Sequence, residues 1–223
     1  MTFETITIGD GTARIYMADM DGGARPGVVV LHAWWGLNED VQRYADRLAQ
    51  SGFAVAAPDM FGGQVADSIE DAEKLSAAGD EGGADAAALA AIDAFANRLG
   101  PDAPIGVVGF SFGAAYAVWA TAKRERLKAA VVYYGTLSGP SLSKGAAPVL
   151  GHFAESDQYE SDEGIDEFET ALRDAGREVT IQRYPGTGHW FAEPSRDAYR
   201  PEQAELAFQR TVAFLRERLA ARG

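Results

Sequence analysis

The chain has 223 residues, a formal net charge of −13, a hydrophobic fraction of 47% and no cysteine. That length suffices to bury one core, so residues 1–223 are expected to form a single domain. The lack of cysteine excludes disulfides, thiolate metal sites and a thiol nucleophile, and the negative charge disfavours nucleic acid and anionic membrane as partners.

Met1 to Ile6 carries no basic segment followed by an apolar one, and no apolar run is long enough to span a bilayer, so a cytoplasmic location is expected. Phe3 to Ile8 alternates as a strand does. Gly9-Asp10-Gly11 reads as a tight turn and Ala13 to Ala18 as a second strand, so the chain opens on a β-hairpin. After a loop at 21–27, Val28-Val29-Val30-Leu31 is a continuous apolar run, the mark of a parallel strand covered on both faces.

His32-Ala33-Trp34-Trp35-Gly36-Leu37-Asn38 follows. Asn38 is placed to cap a helix whose first turn holds Glu39 and Asp40. Val41, Tyr44, Ala45 and Leu48 share one face of it, and Gly52 ends it. Phe53 to Ala57 is another buried strand, halted by Pro58. Residues 58–83 are less regular. A short acidic helix is expected over Ser68 to Ala78, with Gly79-Asp80-Glu81-Gly82-Gly83 as loop beyond it, the whole passing over one end of the sheet. Ala84 to Leu99 is a stronger helix, with Leu89, Ile92 and Leu99 directed at the core.

The apolar strand Ile105 to Val108 runs into Gly109-Phe110-Ser111-Phe112-Gly113, and Ala114 to Ala120 then reads as a helix. A G-x-S-x-G sequence between a strand and a helix holds its serine at a strained turn, beside the free N–H groups of the helix start. Leu127 to Tyr133 is the next strand, followed by a Gly/Ser loop over 135–145 and a strand over Pro148 to Phe153. Ile165, Phe168 and Leu172 mark a helix ended by Gly176. Val179 to Tyr184 is the last strand, and a terminal helix runs from about Pro201 to about Leu219. Strands alternate with helices after the hairpin. The pattern predicts an α/β fold with a mostly parallel, doubly wound sheet, helices on both faces, and a site outside the carboxyl ends of its strands.

A serine hydroxyl attacks only when a base takes its proton. His32 ends a strand, His152 lies inside an apolar one, and His189 sits in Pro185-Gly186-Thr187-Gly188-His189, a loop after the last strand where such a sheet presents its base. The acid that orients it is expected between serine and histidine in the chain. The loop after Phe153 offers Glu155, Asp157 and Asp162, of which Asp157 has the most suitable reach and Glu155 competes. The N–H of Phe112 is one oxyanion donor, and the N–H of Trp34, in the loop after an earlier central strand, is the other. Ala33, Trp35, Phe61, Trp190, Phe191 and Arg196 are expected around an aromatic-lined pocket. Three scattered histidines imply no metal, and no organic cofactor is expected.

These residues resemble the dienelactone hydrolase (carboxymethylenebutenolidase) family of α/β hydrolases. The resemblance rests on His32 to Asn38, Pro58-Asp59-Met60-Phe61-Gly62, Gly109 to Gly113, Tyr133-Tyr134-Gly135 and Tyr184 to His189. It implies the α/β-hydrolase fold, Ser111, Asp157 and His189 as catalytic triad, and oxyanion donors at Trp34 and Phe112. The family typically has Cys where this chain has Ser111, and Glu where it has Ala33. In the family that Glu helps control ionisation of the thiol; a serine is not stored as an anion, so the two changes are chemically coherent. Family members that act on dienelactone hold its carboxylate with arginines; here Arg196, downstream of His189, is a candidate, and the 62–83 excursion contains no arginine, only Lys74. The expected function is cleavage of a small carboxylic ester or lactone. A thioesterase or other acyl hydrolase, and a silent binding protein on the same fold, remain alternatives; oligomeric state is not legible.

Overall fold

Each strand expected from the sequence becomes a strand of one sheet. The structure is a computed structural model that describes residues 2–8, 11–18 and 25–220; the turn at Gly9-Asp10 and the residues 21–24 of the following loop lie outside these. In chain order the elements are β1 (Thr2–Ile8), β2 (Gly11–Ala18), β3 (Gly27–Leu31), α1 (Glu39–Gln50), β4 (Ala54–Pro58), α2 (Ile69–Gly82), α3 (Ala84–Leu99), β5 (Ile105–Phe110), α4 (Phe112–Thr121), β6 (Leu127–Tyr133), β7 (Val149–Ala154), α5 (Asp162–Asp174), β8 (Val179–Tyr184) and α6 (Pro201–Arg218). The eight strands form one sheet in the order β1-β2-β4-β3-β5-β6-β7-β8. The opening hairpin joins β4 antiparallel, and the pairs from β4 through β8 are parallel. Among the described residues no helix is long and apolar enough to cross a membrane.

Helices cover both faces, and strand alternation decides what each face meets. Val28, Val30, Val108, Val131 and Tyr133 point towards α1 and α6, where Tyr44, Leu48, Phe208 and Leu215 pack. Val29, Leu31, Val107, Ala130 and Val132 point towards α3, α4 and α5, where Ile92, Phe95, Val118 and Phe168 pack. Caps fix the helix starts. Asn38 Oδ1 accepts the N–H of Asp40 at 3.1 Å and of Val41 at 3.2 Å, and Pro201 opens α6.

The excursion after β4 corrects one expectation. Ser68 caps α2 as its position implies, but the helix does not stop at Ala78; it continues through Gly79 to Gly82. The ring of Phe61 explains this, because a Cβ on Gly79 would lie 2.5 Å from its Cε1. Tertiary packing thus holds a glycine in the helix against its local tendency. The left-handed Gly83 then separates α2 from α3.

Leu48 and Ile92 are buried on opposite faces of the sheet. Leu48→Ala and Ile92→Ala are each expected to lower unfolding free energy by about 2–5 kcal/mol. The double variant should lose the sum of the two, within about 0.5 kcal/mol. Equilibrium denaturation checks both; strong non-additivity would contradict two separate cores.

Candidate active site

Ser111 links β5 to α4 with φ 47° and ψ −111°. Such a conformation costs a non-glycine residue about 1–3 kcal/mol and persists only where its surroundings enforce it. Here the start of α4 lies directly on the end of β3. A Cβ on Gly113 would stand 2.4 Å from the Leu31 carbonyl oxygen, and one on Gly109 2.2 Å from that of Gly113. The Ser111 N–H donates to the Tyr133 carbonyl at 2.9 Å, tying the turn to β6.

His189 comes to this turn from the loop after β8, and Asp157 from the loop after β7. His189 Nε2 lies 2.9 Å from Ser111 Oγ. Its Nδ1 lies 2.7 Å from Asp157 Oδ2 and 2.9 Å from Oδ1. A carboxylate can only accept, so Nδ1 carries the proton and Nε2 is free to accept from the serine hydroxyl. Asp157 Oδ1 also accepts the N–H of Tyr159 at 2.8 Å and of Glu160 at 3.1 Å. Glu160 in turn accepts from the N–H of Thr136 at 3.2 Å and from its hydroxyl at 2.8 Å, which anchors the acid loop to the end of β6. The competitor Glu155 is exposed and instead accepts the N–H of Gly186 at 2.9 Å, bracing the loop that carries the histidine. Asp162 pairs with Arg183. Phe112 begins α4, so its N–H has no acceptor within the helix. That of Trp34 has no backbone acceptor among the described residues. Because Gly113 touches β3, these two groups leave adjacent strand ends.

The dienelactone hydrolase family model matches residues 13–219. "Protein usf" of Aquifex pyrophilus is 32% identical over 220 residues, covering 92% of this chain and 94% of that one. A putative carboxymethylenebutenolidase of Aquifex aeolicus is 31% identical over 205 residues, covering 86% and 88%. The crystal structure of a putative dienelactone hydrolase from Klebsiella pneumoniae superposes with a TM-score of 0.80 at 25% identity, covering 95% of this chain and 97% of that one. The chain belongs to the dienelactone hydrolase family. It is an ester or lactone hydrolase with the α/β-hydrolase fold.

Three aromatic rings surround the imidazole of His189, with centroids of Tyr159 at 4.8 Å, Tyr134 at 4.9 Å and Trp190 at 5.1 Å. Trp34 extends the wall, 5.4 Å from Tyr159 and 6.0 Å from Trp190. The sequence missed Tyr159; its one signal was a large aromatic residue two positions after Asp157 in an otherwise acidic loop. Four residues expected to line the pocket, Ala33, Trp35, Phe61 and Phe191, are buried, as His189 itself is. The Phe61 ring packs on His32 and Phe112, and that of Phe191 on Tyr134 and Tyr184. Aromatic character alone does not separate a pocket wall from the packing behind it. Arg196 stacks its guanidinium 3.8 Å from the centroid of the Trp35 ring.

The other two histidines are buried and hold structure. His32 Nδ1 donates to the Ala33 carbonyl at 2.7 Å, and Nε2 accepts the N–H of Met60 at 3.0 Å. His152 bridges the Tyr184 hydroxyl at 2.7 Å and that of Thr211 at 3.0 Å. Burial pushes His32 down to about 4 and His152 down to about 3. Among the described residues no group of three or more His, Asp or Glu side chains converges on a metal position.

Between pH 6.5 and about 3 the unfolded chain protonates His152 while the native state keeps it neutral. The stability this contributes is complete above pH 6.5 and is lost as pH falls through that window. His152→Asn should therefore show a smaller drop in thermal midpoint between pH 7 and pH 4.5 than the parent, by about 4 °C or more. Equal drops in the two proteins would contradict a neutral native His152.

Proposed function

We propose that this chain cleaves a small carboxylic ester or lactone through an acyl-enzyme on Ser111. The observation that carries the reading is the continuous relay from Ser111 Oγ through His189 to Asp157, with contacts of 2.9 and 2.7 Å. Ser111 Oγ attacks the substrate carbonyl carbon while His189 Nε2 takes the hydroxyl proton. The N–H groups of Phe112 and Trp34 receive the charge that develops on the carbonyl oxygen. His189 passes its proton to the leaving oxygen as the C–O bond breaks, and the alcohol departs, or stays tethered in a lactone. Water then attacks the acyl carbon. His189 accepts its proton and returns one to Ser111 Oγ as the acid is released.

Asp157 stabilises the imidazolium formed in each half-reaction, and the three rings around His189 favour the same cation. Ala33 places a methyl group, not a carboxylate, beside His32, so no anion at position 33 opposes charge developing on Ser111. The rim supports an apolar substrate. Tyr159 is 43% exposed and Val65 48%. The Ala66 N–H donates to the Trp35 carbonyl at 3.0 Å, which sets the Val65 segment over the Trp34-Trp35 turn.

Ser111→Ala and His189→Ala are each expected to lower kcat for p-nitrophenyl butyrate by about 10,000-fold or more, with the circular dichroism of the parent retained. Parental turnover in Ser111→Ala would overturn the reading. A panel of matched esters, thioesters and amides should give the highest kcat/KM for esters, and within the esters kcat/KM should rise from acetyl to hexanoyl. A preference for the thioester would make the chain a thioesterase.

A further inference from the structure

Glu193 is a carboxyl group buried four residues beyond His189, and the relay does not use it. Its Oε1 accepts the hydroxyl of Tyr134 at 2.9 Å, and both residues are buried. Tyr134 is fixed from three sides. Its N–H donates to the His152 carbonyl at 2.8 Å, its backbone holds φ 38°, and its ring centroid lies 4.9 Å from that of His189. The next residue touches the nucleophile turn, since a Cβ on Gly135 would lie 2.6 Å from the Ser111 carbonyl oxygen. Glu193 is also bonded into the histidine loop, donating its N–H to the Trp190 carbonyl at 2.9 Å, and Trp190 holds φ 64°.

We propose that Glu193 is a positioning residue for the general base: its carboxyl group, through the Tyr134 hydroxyl, clamps the His189 loop to the segment just after β6 that abuts Ser111. The bond joins the segment that supports the nucleophile turn to the loop that supplies the base. Two non-glycine residues in the left-handed region flank the clamp, and such conformations need an enforcing contact. Burial pushes the Glu193 carboxyl up to about 8, so it is largely neutral at pH 7. A glutamine is then a faithful replacement: it keeps an acceptor for the tyrosine hydroxyl and a donor in place of the acid proton. Neutrality also keeps a second negative charge from competing with Asp157.

The inference rests on the serine relay proposed above, and its test separates the two. The rate constant for labelling Ser111 with a small fluorophosphonate is measured in the parent, Glu193→Gln, Glu193→Ala, Tyr134→Phe and the Glu193→Ala/Tyr134→Phe double variant. Glu193→Ala and Tyr134→Phe should each label about 10- to 100-fold more slowly, the range that a displacement of about 1 Å produces. The double variant should be no slower than the singles, and Glu193→Gln should stay within about threefold of the parent. A second readout does not depend on reactivity. The downfield proton signal of His189 Nδ1–H on Asp157 should be shared by the parent and Glu193→Gln, and be shifted or lost in the other variants. Should Glu193→Ala fail to fold, Tyr134→Phe, which keeps the ring, carries the comparison. Parental labelling with an unmoved signal in Tyr134→Phe would overturn the clamp, as would a Glu193→Gln variant as slow as Tyr134→Phe. A parent that does not label would contradict the serine mechanism, and the proton signal alone would then decide the clamp.

Discussion

The contact between the first turn of α4 and the carbonyl end of β3 is the constraint on which the site depends. No side chain fits at Gly113, where a Cβ would come within 2.4 Å of the Leu31 oxygen and 2.6 Å of the His32 oxygen. The helix can approach that closely only if the chain turns abruptly before it, and the abrupt turn falls on Ser111. The strain there, about 1–3 kcal/mol, is offset by a sheet whose central strands are buried on both faces. One approach therefore lifts the hydroxyl out of the sheet, points free helix N–H groups at it, and sets the Trp34 segment alongside.

The electrostatics follow from burial as much as from charge. The chain carries a net charge of −13, yet Asp157 is held by His189 and two backbone N–H groups, with no lysine or arginine bonded to it among the described residues. His32 and His152 stay neutral because burial removes the solvation a charged imidazole needs, and their ring nitrogens bond to uncharged groups. Among the described residues His189, the proposed base, is the one histidine hydrogen-bonded to a carboxylate. In a family that typically pairs Cys with a neighbouring Glu, Ser111 with Ala33 is a consistent alternative: a hydroxyl needs a base at the moment of attack and no device that stores an anion.

Much of the fold was legible because it is written in short-range patterns. The runs Val28 to Leu31 and Ile105 to Val108 are too apolar for anything but covered strands, and Asn38, Ser68 and Pro201 mark helix starts by their own chemistry. The failures were tertiary. The glycines at 79 and 82 look like the end of a helix until Phe61 is placed against the first of them. Asp157 and Glu155 cannot be ranked firmly by spacing, because the distinction depends on which side of a turn faces β8. Glu193 was invisible for another reason: in so acidic a chain a carboxylate reads as a solvated charge, and only the fold reveals Tyr134 opposite it.

The account turns on a covalent bond that forms and breaks at Ser111. The most direct test is intact-protein mass spectrometry on samples quenched in acid during turnover of a slowly deacylating aryl ester, followed by peptide mapping. The account predicts a transient gain of one acyl group on the peptide that contains Ser111, appearing with the first equivalent of released phenol and lost when substrate is exhausted. Steady turnover with no acyl adduct, or an adduct elsewhere in the chain, would contradict it.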